Sequence, residues 1–434
     1  MKTYLENKIK YFSKLDEVAP SLIEKLSKYR IVMLGEASHG TEEYYYVRRQ
    51  ITEALLRDHG FNFVAVEGDW PDCYSINNYI QSDQPMKGIK ILQSFKRWPT
   101  WMWSNTEILK FMDNMKEINS GRDKKNKVGF YGLDVYSLFE SIDLVISEIQ
   151  KFSTELAEIA KYRYSCFSQF NRNEKQYLHY LQEVPEGCRE GAVKMLVDLL
   201  KMRIDKFSSE NGDMDFNIKQ NAKIVLHAED YYRTMILGTD DSCNVRDKNM
   251  TETLDSIFEN NYPNGKAIIW AHNTHIGDYK FTDMLAQGEI NIGGLVREKY
   301  TDNVALVGFG TYKESVVASN KWGGKIKKMP VPHGKKGSYD EYLHNLCAQY
   351  RSPICVLDFK PMDQKESQEF MKQKGQRAIG VVYHPSYEYG NYVPTIIAKR
   401  YDYFVFIEET KALIPILTRE IDEKEIPEDY PFNA

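Results

Sequence analysis

The sequence lacks any long apolar run. Its first residues, MKTYLENKIK, carry charge in every turn and do not form the apolar stretch of a secretory signal. No later segment reaches the roughly 20 consecutive apolar residues that a membrane-spanning helix requires. We therefore expect a cytoplasmic protein without a membrane partner.

Cysteine pairs and excess positive charge are also absent. The six cysteines include no Cys-x-x-Cys pair, so the sequence predicts neither a disulfide framework nor a zinc ribbon, and a reducing cytoplasm suits it. Lysine and arginine together number 57 against 62 acidic residues, and no basic stripe or tail is present. This balance predicts no nucleic-acid partner.

Several catalytic signatures are missing as well. There is no Gly-x-Ser-x-Gly elbow, so a serine nucleophile of the α/β-hydrolase kind has no support. His-Glu-x-x-His, the Walker A loop and the Gly-x-Gly-x-x-Gly loop are absent too. What remains is a water molecule that a histidine or a metal ion activates directly.

What the sequence does contain is a set of short apolar runs, each followed by polar residues. The four main runs cover residues 31–34, 61–66, 128–131 and 267–270. Helical patterns between them predict an α/β protein with a mostly parallel sheet flanked by helices. In such sheets, ligands bind at the carboxyl ends of the strands, so the polar residues that follow the runs are expected to share one site. These residues are Glu36, His39, Glu67, Asp69, Asp134, His272 and His275.

Further strands are predicted at 304–307, 354–357, 379–383 and 403–407, with the last two near a sheet edge. Between about 140 and 258 the strand signal gives way to amphipathic patterns, for example at 144–159, 192–207 and 216–237. We interpret this stretch as an inserted all-α helical subdomain that acts as a lid. The predicted domains are therefore an α/β core in two parts, 1–139 and 259–434, and the helical lid, 140–258.

Each polar cluster has a structural alternative. His39 precedes a helix start, where the helix dipole favours a neutral ring suited to a general base, and Glu43 can orient it; equally, both can be ordinary turn and helix-start residues. Glu67 follows a buried strand and is a catalytic candidate, or it forms a salt bridge to a helix arginine such as Arg48. The aromatic stretch 98–103 is either a cleft wall or core packing.

These motifs, in this order, resemble the erythromycin esterase family. The matching segments are Gly35-Glu-x-x-His39-Gly with Glu43 and Arg48, Glu67-Gly-Asp-Trp70, Gly132-Leu-Asp134, Arg246-Asp247 with Met250, and Trp270-Ala-His-Asn-x-His-Ile276. The resemblance implies a carboxylic-ester hydrolase, whose best-known members open a macrolactone ring with histidine-activated water and no covalent enzyme intermediate. The expected substrate is a small-molecule ester or lactone, and the oligomeric state is left open.

The resemblance also assigns roles. His39 matches the general base, and Glu36, Glu43 and Glu67 match carboxylates that orient the histidine or the water. His272 and His275 complete the predicted catalytic set, and their separate roles stay open. The residues predicted to bind substrate are Arg48, Asp69, Trp70, Asp134 and Arg246.

Two alternatives remain. No cofactor is expected, but His39, His272 and His275 with one glutamate have the chemistry to bind a divalent metal ion that activates water. The second alternative is a non-catalytic binding or biosynthetic accessory protein that keeps the cleft without turnover.

Overall fold

The computed structural model describes residues 8–201, 212–238, 242–360 and 368–417. The strands are β1 (Ile9–Phe12), β2 (Ile31–Leu34), β3 (Phe63–Asp69), β4 (Gly129–Asp134), β5 (Ala267–Trp270), β6 (Val304–Ala318), β7 (Lys327–Val331), β8 (Ile354–Asp358), β9 (Lys374–Arg377), β10 (Tyr392–Thr395) and β11 (Tyr403–Glu409). The α-helices are α1 (Val18–Leu26), α2 (Glu42–Asp58), α3 (Trp70–Gln81), α4 (Gly88–Leu92), α5 (Thr106–Asn119), α6 (Leu138–Gln150), α7 (Thr154–Arg163), α8 (Ser165–Ser168), α9 (Glu174–Glu183), α10 (Arg189–Lys201), α11 (Gly212–Leu237), α12 (Ser242–Asn261), α13 (Asn273–Ile276), α14 (Met284–Gln287), α15 (Ile292–Tyr300), α16 (Tyr339–Gln349) and α17 (Ile397–Arg400).

The main sheet has the strand order β1-β8-β11-β6-β2-β5-β3-β4, and β7 pairs with β6. The strands from β11 to β4 along this order are parallel to one another. At the other edge, β8 runs antiparallel to β11, and β1 runs antiparallel to β8. Leu34, Trp270 and Val66 pair side by side near the ends of β2, β5 and β3. The predicted parallel sheet and the alignment of its polar strand ends are thus confirmed.

The central strands are buried on both faces, which explains their unbroken apolar runs. In β2, Val32 and Leu34 pack in one hydrophobic cluster with α2, whereas Ile31 and Met33 pack in another with α12. Helices therefore cover both faces of the sheet, and the site at the strand ends stands on a rigid, three-layered core.

The stretch between β4 and β5 holds only helices among its described residues, from α6 to α12. Helices α6 to α11 share a hydrophobic cluster that includes Val145, Tyr177, Leu199 and Val225, whereas the buried apolar residues of α12 pack in the cluster under the sheet. The 144–159 pattern forms two helices, α6 and α7, and the 216–237 pattern lies within α11. The 192–207 pattern falls in α10 up to Lys201, and its remainder lies outside the described residues. The domain boundaries and the role of a lid stay predictions.

The strand predictions fail at two places. Residues 379–383 form no strand: Ile379 and Val382 make only isolated bridges, to Ser38 and Ser319. The 403–407 strand, β11, lies inside the sheet rather than near its edge, because β8 and the short N-terminal β1 pair beyond it.

The cysteine prediction also needs correction. Cys166 and Cys188 form a disulfide across 22 residues of the helical stretch, a spacing that matches no short motif. Disulfides are typical of oxidising compartments, so this pair weighs against the cytoplasmic location, which stays a prediction. Within the described residues, no helix has the length and apolar character needed to cross a membrane.

Candidate active site

Two glycines shape the loop that carries His39. A Cβ atom on Gly35 would lie 2.2 Å from Asn273 Oδ1, and one on Gly40 would lie 2.1 Å from the Val317 carbonyl oxygen. Only glycine allows backbone and neighbours to approach this closely. The loop is thereby pressed against the sheet, and His39 is 6% exposed.

The Glu36 carboxylate joins His39 to Arg48. Its Oε1 lies 2.8 Å from His39 Nδ1, and its Oε2 accepts a hydrogen bond from the Arg48 guanidinium. An ionised carboxylate only accepts hydrogen bonds, so Nδ1 of the neutral ring carries the proton and the lone pair lies on Nε2. Arg48, predicted to bind substrate, is fully buried against the rings of Tyr45 and Trp270. It supports Glu36 and has no surface to offer a substrate.

Glu43 does not take the orienting role expected of it. Its Oε2 accepts a hydrogen bond from the Lys411 backbone N–H at 2.9 Å, and burial raises the pKa of this carboxyl. The carboxylate that holds His39 is Glu36, which lies three residues before the histidine rather than four after it.

His272 is the N-cap of α13, where its ring accepts hydrogen bonds. Nδ1 lies 3.3 Å from the Thr274 backbone nitrogen and 2.8 Å from Thr274 Oγ1. Because Nδ1 accepts from a backbone N–H, the proton of the neutral ring lies on Nε2. That atom is buried and makes no close hydrogen bond with the described residues, while a hydrogen-bonding contact with the Ala37 backbone acts to raise the pKa of the ring.

The His272 ring also lies beside His39, with ring centres 4.9 Å apart. Burial, and after it the neighbouring His39, hold the pKa of His272 well below its ordinary value. His272 is therefore a neutral imidazole with an N–H to donate.

His275 has the opposite environment. Its Nδ1 lies 3.0 Å from both carboxylate oxygens of Asp247, and its Nε2 lies 3.3 Å from Glu67 Oε1. Burial opposes charge on this ring, but the two carboxylates outweigh it and raise the pKa of His275 to about 9. His275 is thus an imidazolium at neutral pH and is not a general base.

Arg246, on α12, connects the helical stretch to two strand ends. Its Nε and Nη2 donate to the Asp134 carboxylate at 2.9 and 2.6 Å, and Nη2 also donates to Glu67 Oε1 at 2.9 Å. The salt-bridge alternative for Glu67 is therefore right in kind, but the arginine is Arg246 rather than Arg48. Asp134 and Arg246, predicted to bind substrate, bind each other.

Glu67 anchors the His272 turn. Its Oε2 accepts a hydrogen bond from the His272 backbone N–H at 2.7 Å. Burial alone would raise the pKa of this carboxyl, but His275 and Arg246 hold it well below its ordinary value. Glu67 is therefore a permanent carboxylate inside the protein.

A cavity of about 30 Å³ opens beside Glu67. Its wall consists of Glu67, Gly68, Asp69, Asp72, Phe95, Arg97, Trp98, Pro99, Thr100, Met102, Trp103, Asp134 and Tyr136. The aromatic stretch 98–103 thus supplies a wall through Trp98 and Trp103 and core packing through the fully buried Trp101. Asp69 Oδ2 lies 3.6 Å from Arg97 Nε, and burial raises the pKa of Asp69 well above its ordinary value.

Trp70 lies in the core rather than in this cavity. It is fully buried, packs on Tyr74 and Tyr131, and donates its indole N–H to Asn217 at 2.8 Å. The side chain has no exposed surface in this arrangement, so the geometry does not support the substrate-binding role, which stays a prediction.

The sequence interpretation missed two residues of the cluster, Asp247 and Thr274. Asp247 holds His275 and also accepts the Ile292 backbone N–H at 2.7 Å, and Thr274 sets the proton position on His272. Both lie inside the matched motifs, directly beside predicted residues, and that adjacency was the available signal.

A divalent metal ion would need histidine and carboxylate side chains that converge on one point. In the described part of the chain, no group of three or more histidine, cysteine, aspartate or glutamate side chains is arranged to hold a metal ion. Asp247 lies on Nδ1 of His275, whose Nε2 lies 3.3 Å from Glu67 Oε1 and 3.1 Å from Arg246 Nη1, and Glu36 lies on Nδ1 of His39.

Fold and site together define an α/β protein with a buried histidine and carboxylate cluster at the carboxyl ends of a parallel sheet. The family model described as erythromycin esterase matches residues 56–410. The chain belongs to this family.

Curated relatives are distant. The Bacillus subtilis (strain 168) protein YbfO, whose name describes it as a hydrolase, is 22% identical over 79% of this chain and 77% of its own length. The Escherichia coli erythromycin esterase type II is 22% identical over 72% of this chain and 78% of its own length.

Solved structures share the fold. A Bacillus cereus protein superposes with a TM-score of 0.78 at 20% identity, covering 96% of this chain and 98% of its own. A succinoglycan biosynthesis protein gives 0.75 at 19% identity, with coverages of 95% and 97%. A histidine-to-asparagine mutant of an erythromycin esterase in its open conformation gives 0.65 at 15% identity, with coverages of 96% and 100%.

Proposed function

We propose that the protein is a hydrolase in which His39 activates a water molecule that attacks an ester or lactone carbonyl. The observation that carries this proposal is the Arg48–Glu36–His39 chain. A buried carboxylate that holds Nδ1 of a histidine fixes its tautomer and orientation and stabilises the imidazolium that forms during proton transfer. The lone pair on His39 Nε2 is then the base.

The reaction follows from this assignment. His39 Nε2 takes a proton from water, the water oxygen bonds to the carbonyl carbon, and the carbonyl electron pair moves onto its oxygen. The ester C–O bond then breaks, and the leaving alcohol oxygen takes the proton back from His39. No covalent bond to the enzyme is formed.

His272 is suited to stabilise the oxyanion. It is neutral, its buried Nε2 carries a proton that makes no close hydrogen bond within the described residues, and its ring lies beside His39. A preorganised donor in a buried site stabilises developing negative charge much more than it would in water. Arg48, which the sequence predicts to bind substrate, donates to Glu36 instead.

The cavity beside Glu67 is small, and its described lining residues include neither His39 nor His272. At about 30 Å³ it is far smaller than the roughly 300–1,000 Å³ of drug-sized pockets. Arg97 on its wall pairs with Glu174 of α9 at 2.7 Å, and Arg246 of α12 reaches the strand ends. These contacts support a lid role for the helical stretch, which would move to admit a large lactone.

The test is a hydrolysis panel of macrolides, simple lactones and aryl esters, run on wild type, His39→Ala and the exposed-histidine control His179→Ala. Histidine general-base catalysis contributes roughly 10²–10⁴-fold, so His39→Ala is expected to lose that much on every substrate that the wild type hydrolyses. Wild-type rates in His39→Ala would reject the assignment. Activity lost on chelation and restored by a divalent metal would favour the metal alternative.

A further inference from the structure

We infer that Asn273 is a positioning residue that locks the His39 loop to the His272 turn and so sets the spacing of the two imidazoles. The inference rests on the proposed function for its kinetic test. Asn273 is 1% exposed and lies between the two loops rather than facing a substrate.

Asn273 bonds to two separate elements. Its backbone N–H donates to the Glu36 carbonyl oxygen at 2.8 Å, in the loop that holds His39. Its side-chain Nδ2 donates to the Phe309 carbonyl oxygen at 2.7 Å, and its Oδ1 accepts the Phe309 N–H at 3.3 Å. One residue therefore ties the His272 turn both to the His39 loop and to β6.

The side-chain amide continues the sheet where β2 stops. The Gly35 N–H donates to the Val307 carbonyl oxygen at 2.9 Å, after which the chain turns away toward His39. The Asn273 amide pairs with Phe309, two residues further along β6, as a peptide group of a continuing strand would. This placement fixes the turn against the rigid centre of the sheet.

Gly35 and Asn273 interlock. A Cβ atom on Gly35 would lie only 2.2 Å from Asn273 Oδ1. Position 35 therefore requires glycine as long as asparagine is present at position 273. On its other side, the Asn273 carbonyl oxygen accepts a hydrogen bond from the fully buried Arg400 at 2.9 Å. Asn273 is thus held on both sides.

The consequence concerns the geometry of the two rings. His272 directly precedes Asn273, and Glu36, bonded to the Asn273 N–H, holds His39. A slip at Asn273 changes the 4.9 Å separation of the ring centres. A misplacement of about 1 Å in a catalytic arrangement can cost on the order of 10²-fold in rate.

Asn119 provides a matched control. It is also 1% exposed, donates to the Ile80 and Val128 carbonyl oxygens, and accepts the Val128 N–H. Asn119 is the last residue of α5 and bonds to Val128, which directly precedes β4 at the opposite end of the sheet. Asn273→Asp and Asn119→Asp therefore remove the same kind of buried amide donor, but only one lies near the histidines.

Both variants are expected to lower the melting temperature. Only Asn273→Asp should also lower kcat by on the order of 10²-fold with little change in KM, and shift the imidazole resonances of His39 and His272. If both variants keep wild-type kcat and ring resonances, or change them equally, the inference is overturned. If the wild type hydrolyses no ester, the proposed function fails, whereas the resonance comparison still decides the positioning role.

A second measurement covers the case in which Asn273→Asp does not fold. Gly35→Ala should shift the same resonances and lower kcat, because its methyl group meets the Asn273 amide. In an Asn273→Ala background the amide is absent, so adding Gly35→Ala should lower kcat by a smaller factor than it does in the wild type. If Gly35→Ala lowers kcat by the same factor in both backgrounds, the close contact between Gly35 and the Asn273 amide does not set the geometry of the rings.

Discussion

His272 and His275 lie three residues apart on one turn, yet their surroundings give them opposite charge. Burial and the neighbouring His39 keep His272 neutral, whereas Asp247 and Glu67 keep His275 protonated. Residue type and spacing are the same kind of signal for both. The comparison teaches that the neighbours of a histidine, rather than its place in a motif, decide which proton chemistry it can perform.

The difference extends to their partners. His272, a neutral ring, lies beside His39, and the two imidazoles are placed to donate a hydrogen bond and to move a proton. His275 belongs with Arg246, Glu67, Asp134 and Asp247 in a charged network that anchors the turn and joins it to α12. Substitution of His39 or His272 should therefore lower the rate of hydrolysis, and substitution in the charged network around His275 should lower the stability of the fold.

The largest expected effect is on stability, in Arg246→Met. The variant leaves Asp134 and Glu67 buried without their guanidinium, and breaking a buried ion pair costs about 3–5 kcal/mol of unfolding free energy. Chemical denaturation measures this loss. Arg163→Met, which removes a partly exposed pair with Asp198, should cost no more than about 1 kcal/mol. Equal losses would show that the network does not stabilise the fold.

The next effect is on rate, in His272→Asn. Asparagine keeps an N-cap acceptor for the Thr274 N–H but withdraws the Nε2 donor. Removing one oxyanion donor typically lowers kcat by about 10²–10³-fold, and KM and the melting temperature should change little. Single-turnover kinetics on an aryl ester provide the measurement. A kcat within tenfold of wild type would mean that His272 is not the donor.

The sheet was predictable to the extent that its strands are buried on both faces. The four main runs are evident from their apolar length, and the helical patterns between them predict the parallel direction and hence the alignment of their polar ends. The short β1, in which only Ile9 is buried and the other three residues are partly or fully exposed, gives no such signal. β8 pairs with β11 on the side away from β6 and so places β11 inside the sheet, and β1 adds one more strand beyond β8.

The sequence predicted which residues lie in the site but not what each of them does there. Strand-end position brought Glu36, His39, Glu67, His272 and His275 together. It could not tell that the arginine on Glu67 would be Arg246, because α12 lies 179 residues away in sequence and nothing local links them. Whether a motif residue such as Trp70 faces the cavity or the core depends likewise on tertiary packing.

The smallest expected effect is the pH-dependent contribution of His275 to the stability of the fold. Its folded pKa of about 9 exceeds the ordinary value of about 6.5, so its protonation stabilises the fold fully below about pH 6.5 and ceases to do so as pH rises through 9. The melting-temperature gap between wild type and His275→Gln should therefore narrow over that range. His179→Gln, at an exposed position, should show no such trend. A gap that widens with pH would mean that the network holds the neutral ring, with Arg246 Nη1 donating to His275 Nε2 across their 3.1 Å contact.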